Sequence, residues 1–255
     1  MNSILASLTL FKQEFYHTSF IYGFGRNEDI PKGYNFSFTG GYTNKENFLR
    51  PYYGMDLEGY FFNKKQNYFN TVFRLGGYFY NKSLEDISSL ISIQSFTRLR
   101  KLGSHWLVRH FIGGSFTQQL RTRLNEPLVL NSDYGLHDFK NPDTLGASRV
   151  TINLQTVFYN TWKLFGFSFA PFTFGNISYI KKIGIGIFKG DFYTEWGAGT
   201  RIRNESLIFG TMELKFSYYP KTVQNMKQWG VSFGTNLNFK YNSQYIQRPD
   251  FVSVN

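Results

Sequence analysis

The sequence predicts an all-β fold, an antiparallel transmembrane β-barrel, on three observations. Phe and Tyr account for 29 and 18 of the 255 residues, and aromatic residues favour strands. Many runs of about ten residues alternate between apolar and polar side chains, which is the periodicity of a strand with two unlike faces. No run of 18 apolar residues occurs, so no segment is typical of a transmembrane helix.

Eleven segments carry this alternation and are predicted to be strands. In 34–44, Tyr34, Phe36 and Phe38 share one face, while Asn35 and Ser37 lie on the other. Most segments have the length of about 9–11 residues that a membrane-spanning strand needs, whereas strands on average have about 5–6 residues. In order, and separated by polar turns, the predicted strands are 15–25, 34–44, 51–62, 68–81, 87–99, 106–118, 148–159, 164–180, 191–203, 206–219 and 229–241.

Alternation alone does not show which face is buried. A soluble β-sandwich or a lipocalin-like barrel would also alternate, with the apolar face inside and the polar face outside. The strand length and the aromatic content favour the membrane barrel, in which the apolar face points to lipid and the polar face lines the interior. The charged side chains predicted to line that interior are Asp56, Glu58, Arg74, Arg201 and Arg203.

The basic charge of the chain indicates its surroundings. The formal net charge is +11, but Lys and Arg are scattered near the predicted turns and do not form a stripe or a nucleic-acid recognition motif. We therefore expect no nucleic-acid partner, and expect either a solvated basic surface or contacts with the anionic headgroups of lipid and lipopolysaccharide. The turn-proximal basic residues include Lys45, Lys64, Lys65, Lys181, Lys182 and Lys221.

No pattern of catalytic or metal-binding residues is evident. The chain has no Cys, so it offers neither a disulfide framework nor a thiolate metal site. The histidines His17, His105, His110 and His137 lack the close spacing of metal ligands, and no Gly-x-Ser-x-Gly nucleophile motif occurs. We expect no enzyme activity, no cofactor and no metal.

Residues 119–147 interrupt the alternation with a long polar stretch that contains Leu136-His137-Asp138-Phe139. Five predicted strands follow, and fragments within them are distinctive: Asn153-Leu154-Gln155, Phe174-Gly175-Asn176-Ile177-Ser178 and 197–203. In this order and spacing, they resemble the C-terminal half of the bacterial surface antigen family. The barrels of that family insert or translocate proteins at the outer membrane.

The resemblance implies that 119–147 is an extracellular loop that folds back into the barrel lumen, with Leu136, His137, Asp138 and Phe139 at its tip. In the family, an Arg of this motif meets acidic residues of the following strands, because a guanidinium pairs well with carboxylates. Here the Arg position is His137, and the two acidic positions are Gln155 and Asn176. Neutral polar groups therefore replace all three charges.

Two interpretations of this replacement remain open. In the first, the loop still docks through neutral hydrogen bonds from His137 to Gln155 or Asn176, which the alternation places on the polar face. In the second, the correspondence is displaced by a few residues or the loop does not dock.

The last predicted strand carries a pattern common at the end of outer-membrane barrels. A polar residue is followed by Gly two positions later and then by two alternating apolar residues, here Ser232, Gly234, Leu237 and Phe239. Residues 242–255 follow as a polar C-terminal tail, although the family usually stops at this strand. We therefore predict one barrel domain over 1–241 and a tail over 242–255.

The resemblance also implies a length. The family barrel has about sixteen strands, and single-chain bacterial barrels have an even number. An odd count of eleven strands would leave unpaired edges in lipid. The first residues, MNSILASLTLFKQEF, also lack the basic region of a signal peptide. We expect a C-terminal part of a longer barrel, with a shorter even-stranded barrel as the alternative.

The sequence thus predicts a non-enzymatic outer-membrane barrel that acts in the insertion or translocation of outer-membrane proteins. Its expected partners are outer-membrane lipid, lipopolysaccharide and unfolded client proteins. Two alternatives stay open: a passive pore or structural barrel, and the barrel anchor of an enzyme whose catalytic domain lies upstream.

Overall fold

The computed structural model describes residues 2–21, 24–25, 27–139, 144–182, 190–204, 211–223, 226–235 and 248–255. Within these ranges the chain forms strands and connecting segments, without a helix. The strands are β1 (Asn2–Thr18), β2 (Glu28–Lys45), β3 (Phe48–Phe62), β4 (Tyr68–Tyr80), β5 (Ser83–Phe96), β6 (Arg100–Leu102), β7 (Trp106–Leu120), β8 (Leu128–Val129), β9 (Leu145–Gly146), β10 (Ser148–Asn160), β11 (Phe167–Lys181), β12 (Gly190–Asn204), β13 (Met212–Tyr218) and β14 (Trp229–Gly234).

Twelve of these strands form one antiparallel sheet, which confirms the predicted all-β antiparallel architecture. The order β1-β2-β3-β4-β5-β7-β10-β11-β12-β13-β14 follows the chain, and β6 pairs only with β7. Strands β8 and β9 form a separate pair. Within the described residues, β1 pairs only with β2 and β14 only with β13, so the sheet keeps two unpaired edges and is not a closed barrel.

The first strand lies elsewhere than predicted. We expected a strand over 15–25, but β1 begins at Asn2 and ends at Thr18. Phe20 has a φ of 59° and Gly25 a φ of 84°, and such left-handed conformations end an extended run. The pairing of β1 with β2 along its whole length extends the strand back over the polar residues near its start.

Two other predicted strands are shorter in the described part of the chain. The strand expected over 206–219 is formed by β13, and the one expected over 229–241 by β14. Leu237 and Phe239 lie outside the described residues.

One face of the sheet surrounds a cavity of about 450 Å³. Side chains from β4 to β14 line this cavity. Neighbouring strands are about 4.8 Å apart, so a flat sheet could not bring β4 and β14 to the same small space. The sheet is therefore curved, and we call the face toward the cavity the inner face and the opposite face the outer face.

The inner face is polar and buried. In β10, Arg149 and Thr151 are fully buried, whereas Val150 and Ile152 on the other side are 39% and 49% exposed. The same division recurs across the sheet, as the alternation predicted. Buried polar residues include Thr39, Arg50, Glu58, Asn70, Asp86, Ser92, Arg109, Thr117, Ser178, Glu195 and Arg201.

The outer face carries apolar side chains that the strand register aligns into rows. One row crosses nine neighbouring strands, with each residue opposite the next: Leu10, Phe36, Leu57, Phe73, Ile91, Phe116, Val150, Tyr179 and Phe192. A second row continues to the last strand through Trp196, Tyr218 and Trp229. Directly opposed residues are close enough to interact, so these rows form a continuous apolar surface.

Apolar clusters close one end of the inner space. The segment after β1 folds inward, where Ile21 packs with Ile30, Tyr60, Tyr68 and Phe96. Tyr159 donates a hydrogen bond from its hydroxyl to the Ile21 carbonyl (3.2 Å), and Phe24 packs in the same region. The connection between β1 and β2 therefore reaches across the sheet to β10.

A buried ion pair links strands that are not neighbours. Arg50 on β3 contacts Asp86 on β5 at 2.6 Å, and both side chains are at most 1% exposed. The other carboxylate oxygen of Asp86 accepts hydrogen bonds from the backbone N–H groups of Arg123, Leu124 and Asn125. One carboxylate thus fastens the segment after β7 to the sheet.

We expect Asp86→Ala to lower the free energy of unfolding by about 3–5 kcal/mol, because the buried Arg50 guanidinium loses its nearest carboxylate and keeps only the more distant Glu85, at 3.7 Å. Urea denaturation followed by tryptophan fluorescence measures this change. The control is Asp29→Ala, which removes a carboxylate that is 59% exposed and should have little effect. Equal stability of the two variants would contradict the anchoring role of Asp86.

Candidate functional site

The described residues of the long segment after β7, 121–139 and 144–147, lie against the inner face. This segment leaves the sheet after β7, forms the small β8–β9 pair and returns at β10. Leu128 and Leu130 are fully buried, and Ser115 on β7 donates a hydrogen bond to the Tyr134 carbonyl (2.9 Å). The segment therefore packs onto the sheet rather than extending away from it, and we call it the inner loop.

The predicted motif lies where the inner loop meets β11 and β12. Leu136 and Phe139 are fully buried and belong to one apolar cluster with Leu130, Ile180, Tyr193 and Tyr219. The Phe139 ring meets the rings of Tyr193 and Tyr219 edge-on, with centroids 5.2 and 5.8 Å away. Edge-to-face pairs of this kind add to the stability that burial provides.

The charged contact of the motif comes from Asp138. Its carboxylate lies 2.6 Å from the Lys215 ammonium on β13, and the same ammonium lies 2.8 Å from Glu195 on β12. Tyr219 donates from its hydroxyl to the Asp138 carbonyl (3.2 Å) and contacts Glu195 at 3.3 Å. Lys215 thus bridges the loop and the sheet, and this ion pair reverses the polarity that the family resemblance implied, with the acid on the loop and the base on a strand.

The other predicted site residues face the same cavity but have different partners. His137 is 55% exposed and contacts Asp138 at 3.3 Å. Gln155 accepts a hydrogen bond from Arg201 (3.3 Å), and Asn176 donates one to Glu195 (2.8 Å). All three residues line the cavity. The hydrogen bond expected from His137 to Gln155 or Asn176 is not among the contacts of these residues; Gln155 instead bonds Arg201, and Asn176 bonds Glu195.

The predicted terminal-strand pattern is described in part. Ser232 and Gly234 belong to β14 and border the cavity.

Further charges on the inner face are paired with one another. Arg74 contacts Asp56 at 2.8 Å and Glu58 at 3.0 Å, and Arg201 contacts Glu213 at 2.9 Å. Each pair joins neighbouring strands, which is how a polar interior can be buried without orphaned charges. The part of the chain that the structure describes contains no group of three or more His, Asp or Glu side chains that could hold a metal ion.

A second segment, residues 251–255, also lies on the inner face, although alternation of apolar and polar residues did not predict it. Residues 251–255, within the predicted polar tail, lie against β3, β4 and the inner loop. Val254 is 6% exposed and packs with Val72, Leu90 and Leu128. The apolar residues Phe251, Val252 and Val254 could have predicted this packing, because a tail that stays in solvent is usually poor in apolar residues.

Comparisons of the chain with protein-family models, curated proteins and solved structures return no match. The resemblance to the bacterial surface antigen family therefore stays a prediction. Over the described residues, no helix is long and apolar enough to cross a membrane.

The pKa of the Asp138 carboxyl is lower when the inner loop is docked. Burial alone would raise the pKa of the Asp138 carboxyl, but the charge and the hydrogen bond of Lys215, with a smaller contribution from His137, lower the pKa below its ordinary value. A carboxyl whose pKa is lower in the docked state stabilises docking above its ordinary pKa. That contribution is lost as the pH falls through the lowered value.

We expect the inner loop to become mobile in acid, below the ordinary pKa range of carboxyl groups (about 4). A spin label on Asn131→Cys reports this motion, because the chain has no other Cys. Asp138→Asn should increase the mobility of the label at neutral pH and remove the part of the acid dependence that comes from the Asp138 carboxylate. Glu126→Gln, a loop carboxylate outside this network, is the control. An unchanged acid transition in Asp138→Asn would refute the role of the ion pair.

Proposed function

We propose that the chain is an integral outer-membrane β-barrel protein of the surface-antigen type that acts in the assembly of other outer-membrane proteins. The observation that carries the membrane setting is the reversed polarity of the sheet. Its buried inner face holds paired charges, and its exposed outer face holds continuous rows of apolar side chains. Water would favour the opposite arrangement, and lipid favours this one.

The size of the apolar surface supports the same setting. Soluble monomers rarely expose contiguous apolar patches larger than a few hundred Å². Here Leu10 at one end of the nine-strand row is 59% exposed and Phe192 at the other is 62% exposed. Burying a large apolar side chain is worth about 1.5–3 kcal/mol, so the whole face strongly favours transfer into a bilayer.

Among the described residues, β1 and β14 each keep an edge without a paired strand, and these edges support a role in assembly. Unpaired backbone N–H and C=O groups are not tolerated in lipid, so a membrane-embedded sheet must pair its edges with each other, with further strands or with a client strand. Main-chain pairing at a free edge is a general mode of recognising an extended chain. The inner loop, which packs into the interior, is the second feature shared with the family that the sequence resembles.

The passive pore is the less favoured alternative. Side chains of the inner loop, of residues 251–255 and of the segment after β1 occupy part of the inner space. An open pore needs a continuous water-filled lumen, as in the large porins. No contact among the described residues favours the enzyme-anchor alternative.

Basic side chains near the strand ends suit the proposed lipid partners. At the end that carries the inner loop, Lys182 and Lys221 are about half-exposed, and Arg123 is 42% exposed. Such side chains can pair with the anionic headgroups of lipid and lipopolysaccharide.

Ile152→Arg tests the membrane setting. Ile152 lies among the outward apolar residues of β10, where a charge facing lipid costs about 2–4 kcal/mol. We expect the variant to lose its stable folded form in lipid vesicles, as measured by heat-dependent gel mobility and urea unfolding. In water the same change would be harmless, because Ile152 is 49% exposed.

The matched control is Phe165→Arg, at a turn position that is 92% exposed and outside the sheet. It should fold in vesicles as the unchanged chain does. If Ile152→Arg folds and floats with vesicles as well as the control does, the outer face does not contact lipid and the membrane setting is wrong.

Reconstitution tests the assembly role. Vesicles that carry the chain should speed the insertion of an unfolded outer-membrane barrel protein relative to empty vesicles, because a free edge offers a pairing template. They should not show a steady ion conductance, because the inner loop and residues 251–255 narrow the inner space. Steady conductance without any effect on the client would support the passive pore instead.

A further inference from the structure

Residues 251–255 make contacts typical of a recognised peptide. The Val252 N–H donates to the Tyr52 hydroxyl (2.7 Å), Arg74 donates to the Ser253 carbonyl (3.2 Å), and Arg149 donates to the Val254 carbonyl (3.1 Å). Three successive main-chain groups of the segment thus have partners on the sheet. Main-chain hydrogen bonds of this kind give a bound peptide its affinity, and side-chain pockets give it specificity.

Two apolar sites receive the side chains of the segment. The Phe251 ring meets the ring of Tyr52 edge-on, with centroids 4.9 Å apart, and stacks near the ring of Tyr78. Val254 enters the cluster of Val72, Leu90 and Leu128. Ser253, between these sites, is exposed. The groove therefore selects the first and fourth side chains and leaves the third free.

Asn255 is held by both ends of its amide. Its oxygen accepts from the Val129 N–H (3.1 Å), and its nitrogen donates to the Pro127 carbonyl (3.3 Å). A carboxylate or an alkyl group at this position could not satisfy both backbone groups. The inner loop thus recognises Asn.

Residues 251–255 supply hydrogen-bond acceptors to the buried Arg149 guanidinium. Arg149 is fully buried on β10, and its hydrogen-bond acceptors are neutral oxygens, namely the carbonyls of Val129 and Val254, the Asn255 amide and the Thr117 hydroxyl. Two of these four come from the 251–255 segment. Removal of the segment would therefore leave a buried guanidinium short of acceptors, which is costly.

The sheet leaves room for the segment at one position. A methyl group built on Gly76 would lie 3.1 Å from Val252 and 2.8 Å from the Tyr52 hydroxyl, closer than side chains normally approach. Behind the segment, a smaller cavity of about 170 Å³ is bordered by Ser253, Asn255 and Arg74. The docked segment thus forms part of the wall of this polar cavity.

We propose that this part of the inner face is a peptide-binding groove for the pattern aromatic–Val–any–Val–Asn, and that the chain's own residues 251–255 occupy it as a displaceable plug. The proposal does not depend on the membrane setting. The ligand class is an extended peptide, read through its backbone, two apolar side chains and a terminal carboxamide side chain.

The test uses a fluorescent synthetic peptide, Phe-Val-Ser-Val-Asn, and a scrambled peptide of the same composition. Val254→Asp in the full chain places a charge in the apolar site and should release the plug. We expect this variant to bind the peptide at least tenfold more tightly than the scrambled one, by fluorescence anisotropy. The unchanged chain should bind neither, because a tethered segment competes at an effective concentration of about a millimolar.

Two further variants sharpen the test. Ser253→Asp adds the same charge at the exposed third position, so its plug should stay docked and exclude the peptide. Gly76→Val should expel the plug and also block the groove, so the peptide should not bind. Binding to Gly76→Val as tight as that to Val254→Asp would place the site elsewhere and overturn the proposal, as would equal binding of the scrambled peptide to Val254→Asp.

Hydrogen exchange on the unchanged chain keeps the proposal testable if Val254→Asp does not fold. The Val252 amide should exchange at least tenfold more slowly than in the free peptide, because its N–H is bound to Tyr52. Exchange as fast as in the free peptide would show that the groove does not hold the segment.

Discussion

The buried charges of the inner face must find charged or polar partners inside the protein, and much of the rest of the structure follows from this constraint. A curved sheet with a polar concave side removes guanidinium, ammonium and carboxylate groups from bulk water, and an unpaired buried charge is costly. Arg50 therefore reaches across β4 to Asp86, and Lys215 lies between two carboxylates. Two of these contacts, at Asp86 and Asp138, also hold the inner loop.

The inner loop and residues 251–255, which lie outside the sheet, supply polar and apolar partners to the side chains of the inner face. The inner loop supplies the carboxylate of Asp138, the carbonyl of Val129 and a cluster of apolar side chains. Residues 251–255 supply further carbonyls and a valine to the same region. The interior is thus polar where charged side chains of the strands form ion pairs, and apolar where the inner loop and residues 251–255 pack onto the sheet. In the membrane setting that we propose, the apolar rows of the outer face would contact the bilayer.

Much of the sheet could be predicted from local alternation. Residues such as Tyr34 and Asn35, or Val150 and Thr151, differ in polarity at every step, and a strand turns them to opposite sides whatever its neighbours are. The site was harder to predict. The alternation placed Gln155 and Asn176 on the polar face, and the family resemblance placed them near the inner loop, yet their partners proved to be Arg201 and Glu195. Those partners depend on the register of other strands, which periodicity does not specify.

The sequence by itself determined the number of consecutively paired strands, the polar face of each strand and the position of the long loop. These properties depend on residues that are close together in the chain. Only the tertiary structure decided that β1 starts near residue 2, that Asp138 and not His137 carries the polar docking contact, and that residues 251–255 return to the interior. These contacts join residues up to 200 positions apart, such as Tyr52 and Val252. Their formation depends on the curvature of the whole sheet, which brings buried charges and unfilled apolar sites within reach of distant segments.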